Sequence, residues 1–205
     1  MLNFLKISEE AFEKVYNKMA VAFPYEERRS PSAQKRCMGD EWFHFLEIID
    51  DEKPVGFIAL WEFSDYIYIE HIAIAPDKRS GGYGSKTLEK VKELFKKKII
   101  LEAEEPVTEQ QKKRIRFYDK AGFKVNTYEY EQPSYHGGEG VPLMILSYPD
   151  FITEEEFNLF VTETKNSVYT YCDWKGLVFP SLFIVFGIAI VLDLEYNKTN
   201  KSWGD

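Results

Sequence analysis

Two kinds of hydrophobic spacing alternate along this chain, one typical of strands and one typical of helices. Leu88, Val91 and Phe95 recur at helical spacing within 85–98, while 54–63 and 66–75 are rich in β-branched and aromatic residues. The predicted helices begin at Ser8 and cover 85–98 and 108–121, with an irregular one in 26–39; the predicted strands are 3–7, 43–49, 54–63, 66–75, 99–103, 123–131 and 142–148.

This order of elements predicts the fold class. Written in sequence it is βααβββαβαββ, with short connections between neighbouring elements. Strands and helices that alternate in this way bury their apolar faces by forming one sheet covered by helices. We therefore expect a mixed α/β (α+β) fold with a central sheet flanked by helices, occupying residues 1–150 as one domain.

Residues 151–205 form a predicted C-terminal appendage. Its first part, 151–164, has the pattern of a short amphipathic helix capped by Thr153. Its second part, 176–192, contains no charged residue and is close to the minimum length of a membrane-spanning helix. Two interpretations stay open for 176–192: a membrane anchor, or a buried helix or strand pair that could form a homodimer interface.

Composition and charge exclude several classes of function. The chain has 205 residues, 26 Lys and Arg against 34 Asp and Glu, and a net charge of −8, which disfavours nucleic-acid binding. Two cysteines, Cys37 and Cys172, cannot form a disulfide framework, and without a signal peptide they indicate reduced thiols in the cytoplasm. No Cys/His spacing indicates zinc, so we expect no metal.

A glycine-rich turn between a strand and a helix is the main candidate for binding chemistry. Gly81, Gly82 and Gly84 lie between the strand 66–75 and the helix that starts near Ser85. Glycines let backbone N–H groups approach an anion closely, and a helix N-terminus adds unpaired donors. The turn matches neither a Walker A loop nor the Gly-x-Gly-x-x-Gly dinucleotide fingerprint. Taken alone it predicts either a pyrophosphate site or an ordinary strand–helix connection.

Two motifs together resemble the GNAT superfamily of acyl-CoA-dependent N-acyltransferases. Arg79-x-x-Gly82-x-Gly84 resembles the first signature of that family, Arg/Gln-x-x-Gly-x-Gly/Ala. Tyr118-Asp-Lys-Ala-Gly122-Phe123 resembles a second signature that follows it in the family. The resemblance covers about residues 1–148 and identifies them as the expected N-acyltransferase domain.

The resemblance implies acetyl-CoA as co-substrate. Backbone groups of the strand before the turn would pair with the pantetheine arm, and N–H groups of the turn would bind the pyrophosphate. The implied cofactor-binding residues are Ile72, Ala73, Ile74, Arg79, Ser80, Gly81, Gly82, Tyr83, Gly84 and Ser85.

The resemblance also implies catalytic roles, each with an ordinary alternative. Tyr118 would be the general acid that protonates the departing thiolate, or else an aromatic that packs between helix and sheet. Glu70, in an otherwise apolar strand, would be a base with a raised pKa, or a surface residue paired with Lys. Glu102 is a second candidate base, with Glu104 expected on the same face, or else the pair belongs to a solvated acidic loop. His71 is expected on the opposite face from Glu70.

The acceptor is expected to contact loops that hold aromatic and charged residues. The candidate acceptor-binding residues are Tyr25, Arg28, Trp61, Glu104, Tyr135 and His136. The predicted function is transfer of an acetyl group from acetyl-CoA to a primary amine, small or peptidic, by direct attack in a ternary complex. The alternative is a non-catalytic acyl-CoA sensor or scaffold, which 176–192 could attach to a membrane.

Overall fold

The computed structural model describes residues 1–172, so the segment 176–192 lies outside the described residues. The helices are α1 (Glu9–Ala22), α2 (Pro31–Cys37), α3 (Tyr83–Phe95), α4 (Glu109–Lys120) and α5 (Glu154–Glu163). The strands are β1 (Asn3–Lys6), β2 (Phe43–Asp50), β3 (Lys53–Glu62), β4 (Tyr66–Ile74), β5 (Lys98–Ala103), β6 (Lys124–Val125), β7 (Glu131–Gln132), β8 (Val141–Pro142) and β9 (Met144–Tyr148). Short helical turns cover Tyr25–Glu27, Pro76–Lys78, Thr164–Val168 and Tyr169–Tyr171.

Seven strands form one mixed sheet in the order β1-β2-β3-β4-β5-β9-β6. Only β4 and β5 run parallel in this sheet; every other neighbouring pair is antiparallel. The predicted mixed α/β fold is confirmed. A parallel pair needs a crossover connection, and α3 provides it between β4 and β5.

The predicted strand 123–131 is interrupted. Pairing with β9 ends after Val125, and β7 pairs instead with β8 in a separate two-stranded ribbon. The cause lies at Asn126, whose Nδ2 donates to Ser147 Oγ (2.9 Å) while its Oδ1 accepts from Ile152 N (3.0 Å). An amide side chain that bonds the backbone in this way competes with continuation of the strand ladder.

Each face of the sheet has its own apolar core. The first face carries the larger and more aromatic core, which α1, α2 and α5 cover; it includes Phe12, Cys37, Phe45, Trp61, Tyr68 and Phe160. The second face carries an aliphatic core beneath α3 and α4, which includes Ile58, Ile69, Leu88, Val91, Tyr118 and Leu146. The two faces therefore separate the glycine-rich turn of α3 from the loops predicted to bind the acceptor.

Helix α5 packs on the first face. Thr153 caps it by accepting a hydrogen bond from Glu156 N. The Glu156 carboxylate accepts one from Thr153 N in return, which completes a capping box. Phe160 is fully buried, and its ring centroid lies 5.3 Å from that of Tyr68 on β4. Within residues 1–172, no helix combines the length and the apolar character that a bilayer crossing requires.

Candidate active site

The sheet opens between its two parallel strands. Pairing of β4 with β5 runs from Tyr66–Lys98 to Ile69–Leu101 and stops there. Beyond that point β4 continues against β3 as far as Ile74, and β5 continues against β9. Among the described residues, no strand pairs with the β5-facing edge of β4 after Ile69. This edge therefore offers backbone N–H and C=O groups to an extended ligand.

A β-bulge at Glu70 accompanies the opening. Ala59 pairs with His71 and Leu60 with Ile69, so Glu70 is the extra residue of β4. The prediction that His71 faces away from Glu70 is wrong, because the bulge interrupts the alternation of side chains. The His71 ring lies on the first face, 4.6 Å from the Phe23 ring, with Nε2 2.8 Å from Glu27 O. Burial lowers the pKa of His71.

The glycine-rich turn has the geometry of an anion cradle. Gly82 is the N-cap of α3 with φ 73°, a left-handed conformation that favours glycine, and no side chain caps the helix. The first-turn N–H groups of α3 have no intrahelical partner. A Cβ added at Gly82 would meet no atom within 4 Å, so these donors face open space. Gly84 has a different role, because a Cβ there would lie 3.1 Å from the Phe117 ring of α4.

Tyr118 lies on the second face, in the core beneath α3 and α4. Its side chain is largely buried, with 7% of the residue exposed, and its ring centroid lies 5.7 Å from that of Phe123. Among residues 1–172, no group forms a hydrogen bond with its hydroxyl. Burial raises the pKa of Tyr118, and Arg114 opposes that shift only in part. The phenol is therefore neutral at pH 7 and available as a donor.

Glu102 lies on β5 just past the point where the strands separate, and it faces the first side of the sheet. Tyr68 Oη donates to Glu102 Oε2 (3.0 Å), Tyr130 Oη donates to Oε1 (2.5 Å), and Gln132 Nε2 also donates to Oε2. Burial raises the pKa of Glu102 to about 7, against these three stabilising donors and with a further contribution from the charge of Glu70. A carboxylate with this pKa is suited to accept a proton near neutral pH.

Glu70 is buried in a fully partnered ion pair. Arg29 Nη1 lies 2.8 Å from Glu70 Oε1, and both side chains are 0% exposed. Tyr135 Oη donates to the same carboxylate (2.7 Å), as does Trp61 Nε1 (3.0 Å). Burial would raise the pKa of Glu70, but the charges of Arg29 and His71 and the hydrogen bonds from Arg29 and Tyr135 together outweigh it, and the pKa is lowered. The expectation of a raised pKa is therefore wrong, because Arg29 supplies a counterion that the strand's own sequence does not indicate.

Two loops predicted to bind the acceptor contact one another. The rings of Tyr25 and His136 stack with centroids 3.8 Å apart, and His136 Nε2 lies 2.9 Å from both Tyr25 O and Arg28 O. Trp61 and Tyr135 are buried beneath these loops. These two residues hold Glu70 and do not line an exposed surface.

The rim of this region is acidic. Burial and the charge of Glu104 raise the pKa of Glu27, so these two carboxylates lie near one another. Arg114 on α4 forms an ion pair with Glu104 (2.8 Å). Within residues 1–172, no three His, Cys, Asp or Glu side chains are grouped to hold a metal ion.

Sequence reasoning missed four residues that contact the two buried carboxylates. Tyr130 and Gln132 share a face at period-two spacing, which is a signal that could have been read. Tyr68 is likewise two residues from Glu70, but an aromatic residue in an apolar strand is indistinguishable from an ordinary core residue. Arg29 adjoins Arg28 in sequence and has no feature that distinguishes the buried member of the pair.

A mixed sheet that opens beside a glycine-rich turn and an uncapped helix start is the arrangement expected of an acyl-CoA-dependent transferase. The sequence profile described as "Acetyltransferase (GNAT) family" matches residues 12–123. The chain belongs to this family, and it is an acyl-CoA-dependent acetyltransferase.

Three similar proteins illustrate the relationship. "Putative acetyltransferase YjbC" of Bacillus subtilis is 29% identical over 170 residues, which cover 78% of this chain and 85% of that protein. A structure from Bacteroides thetaiotaomicron, named "Putative acetyltransferase from GNAT family", is 32% identical with a TM-score of 0.76 and covers 82% of this chain and 98% of its own. Arabidopsis thaliana Naa50, solved with the bisubstrate analogue CoA-Ac-MVNAL, is 19% identical with a TM-score of 0.54, covers 73% of this chain and 99% of its own, and supports the fold alone.

Proposed function

We propose that this chain transfers an acetyl group from acetyl-CoA to a primary amine by direct attack in a ternary complex. One observation carries the proposal: Glu102 lies on the first face of the sheet beside the opening between β4 and β5, and Tyr118 lies on the opposite face. An acid and a base placed in this way can act on two substrates that approach from opposite faces.

The residues of the second face fit the co-substrate. The N–H groups at the start of α3 would bind the pyrophosphate in the open space beside Gly82, assisted by the helix dipole. The unpaired backbone edge of β4 at Ile72 and Ile74 would pair with the amide groups of the pantetheine arm. Acetyl-CoA supplies an activated thioester carbonyl. This chain's contribution is to hold that carbonyl at the opening of the sheet.

Proton transfers complete the proposed reaction. Glu102 accepts the proton that the ammonium form of the acceptor must lose before its nitrogen can attack the carbonyl carbon, and a second N–H proton passes to water as the C–N bond forms. Tyr118 donates its hydroxyl proton to the sulfur as the C–S bond breaks, so that the thiol and not the thiolate leaves. Glu70 is less suited to the role of base, since its carboxylate already has three partners and a lowered pKa.

The acidic rim supports a cationic acceptor. The charge of Glu104 acts on Glu27, and Glu27 belongs to the same turn as Tyr25, whose ring stacks on that of His136. Carboxylates and aromatic faces both attract ammonium groups. A small polyamine-like amine and a peptide amine both have this chemistry, and we propose cationic amines as the acceptor class.

We propose a cytoplasmic location for this activity. Cys37 is a thiol buried in the first-face core, and reduced thiols are typical of proteins in the cytoplasm.

A turnover screen tests the proposal. The purified full chain is incubated with acetyl-CoA and a panel of polyamines, aminoglycosides, amino acids and peptides, and thiol release is followed together with the mass of the acetylated product. We expect turnover with at least one cationic amine. Binding of acetyl-CoA without product from any amine would favour the sensor alternative and refute the proposal.

The Tyr118→Phe variant tests the proposed acid. Removal of the hydroxyl is expected to lower kcat about 100-fold, within the range of general acid catalysis, with acetyl-CoA affinity within twofold of wild type. Tyr128→Phe is the matched control, because the Tyr128 hydroxyl donates to Ile152 O on the far side of the first-face core (3.0 Å). Equal turnover in the two variants would exclude Tyr118 from the chemistry.

A further inference from the structure

Arg29 lies where several acceptor-side segments meet. The side chain is 0% exposed and extends from the chain that joins the Tyr25–Glu27 turn to α2. Nη1 forms the ion pair with Glu70 on β4 (2.8 Å), and Nη2 donates to Val168 O in the C-terminal segment (2.7 Å). One guanidinium therefore connects three parts of the chain that are far apart in sequence.

Aromatic rings complete the surroundings of Arg29. Its Cζ lies 5.3 Å from the ring centroid of Tyr135 and 5.8 Å from that of Trp61. Tyr169 packs on Tyr135 with a centroid distance of 5.6 Å. A planar cation with a fixed fork of donors matches a carboxylate, a carbonyl and ring faces at once, which an ammonium group cannot do.

The same cluster holds the loops that contact one another above it. The backbone carbonyl of Arg29 accepts from Tyr16 Oη (2.6 Å), which fixes the chain just after Tyr25 and Arg28. Tyr135 adjoins His136, whose ring stacks on Tyr25. Displacement of Arg29 would therefore disturb both loops without touching the glycine turn on the opposite face.

We propose that Arg29 is a positioning residue that joins the C-terminal segment 164–172 to β4 and so completes the acceptor-side wall. Glu70 then serves as the counterion that anchors this wall, and Glu102 remains the base. The segment 164–172 lies outside the region 12–123 that the family profile matches, so the wall is partly built by residues beyond that region. The acceptor part of this inference rests on the proposed function.

Two variants of this cluster test the inference, and the first disturbs the cluster more than the second. Arg29→Lys keeps the charge but removes the fork, so that Glu70 and Val168 O can no longer both be bound in the present geometry. Tyr135→Phe removes only one donor to Glu70 and leaves the ring packing intact, so it provides a test if Arg29→Lys does not fold. Arg116→Lys is the matched control, since Arg116 is an exposed arginine on α4 that lies 4.0 Å from Glu109.

The first readout does not depend on turnover. Amide hydrogen exchange is measured on the full chain of each variant. In Arg29→Lys we expect exchange to rise at least tenfold in 24–30, 133–140 and 164–172, and to stay within twofold of wild type in 79–85. A uniform rise over the whole chain, or no change in 164–172, would overturn the inference.

The second readout separates the two substrates. With an acceptor from the turnover screen, we expect Arg29→Lys to raise the KM for the amine at least tenfold and Tyr135→Phe to raise it about threefold, with the KM for acetyl-CoA within twofold in both. Equal effects on both KM values, or an unchanged KM for the amine, would contradict a positioning role. If the wild-type chain acetylates no amine, the proposed function fails and the exchange measurement alone decides whether Arg29 holds the wall.

Discussion

Replacement of Glu102 by Gln tests the proposed base, and the size of its effect follows from its surroundings. Three side chains donate hydrogen bonds to the carboxylate, yet burial and the nearby charge of Glu70 raise its pKa to about 7. A base with that pKa is about nine-tenths ionised at pH 8 and about one-tenth ionised at pH 6. In the wild type, kcat/KM should therefore fall about tenfold for each pH unit below 7.

Glu102→Gln removes the group that titrates. Glutamine keeps the size of the side chain, and its single amide oxygen can accept from Tyr68 or from Tyr130, but it cannot take a proton from the amine. We expect kcat/KM at pH 8 to drop about 100-fold or more, the range of general base catalysis. The limb with a pKa near 7 should be absent from the profile of the variant.

The assay is the pH profile of acetyl transfer between pH 5.5 and 9, with an acceptor whose own amine pKa exceeds 9. That choice keeps ionisation of the amine apart from ionisation of Glu102. Glu105→Gln is the control, because Glu105 is an exposed neighbour beyond the end of β5. A limb near pH 7 that persists in Glu102→Gln would refute the assignment, and so would wild-type kcat/KM at pH 8.

Three further predictions concern binding and stability. Gly82→Ala places a methyl group in the open cradle at φ 73°; we expect calorimetry to show acetyl-CoA affinity reduced at least tenfold, with a stability cost of about 1–2 kcal/mol, and normal affinity would exclude the cradle. Phe160→Ala empties a fully buried site against Tyr68 and should lower the free energy of unfolding by about 3–5 kcal/mol in urea, whereas a cost below about 1 kcal/mol would show that α5 contributes little to the core. Because the pKa of Glu102 is raised on folding, its contribution to stability is complete below pH 4.5 and is lost as the pH rises to about 7; the stability of the wild type relative to Glu102→Gln should fall by about 1–3 kcal/mol over that range, and a constant difference would contradict the raised pKa.

Much of the fold could be predicted because its strands and helices have strong local patterns. The central strands and α3 carry continuous apolar or amphipathic spacing, and the predicted bounds differ from the observed ones by a few residues at most. The strand predicted over 123–131 breaks at Asn126 because that side chain bonds residues 147 and 152, which are distant in sequence. Local spacing carries no information about such bonds.

The residues of the site also divide into those that local sequence predicts and those that it does not. The glycine turn was predictable, since left-handed φ and an uncapped helix start have a direct signature in glycine. The environment of Glu70 was not, because its counterion comes from Arg29 and its remaining donors from β3 and the β7–β8 loop. The orientation of His71 depended on a bulge, and a bulge is defined only by the register with the neighbouring strand.

That bulge also determines what the loss of one residue from β4 would do in homologous sequences. Tyr68 and Glu70 lie on the first face, and so do His71 and Ala73. The first face therefore takes even-numbered residues of β4 before the bulge and odd-numbered residues after it. Deletion of a single residue near Glu70 would restore simple alternation. Every later residue would keep its present face, with Ile72 still against its aliphatic core, but one of the two adjacent side chains that share the first face, Glu70 or His71, would be lost. Natural loss of Glu70 should therefore be tolerated by both cores, and it should be accompanied by loss of the buried arginine at position 29, whose counterion is Glu70.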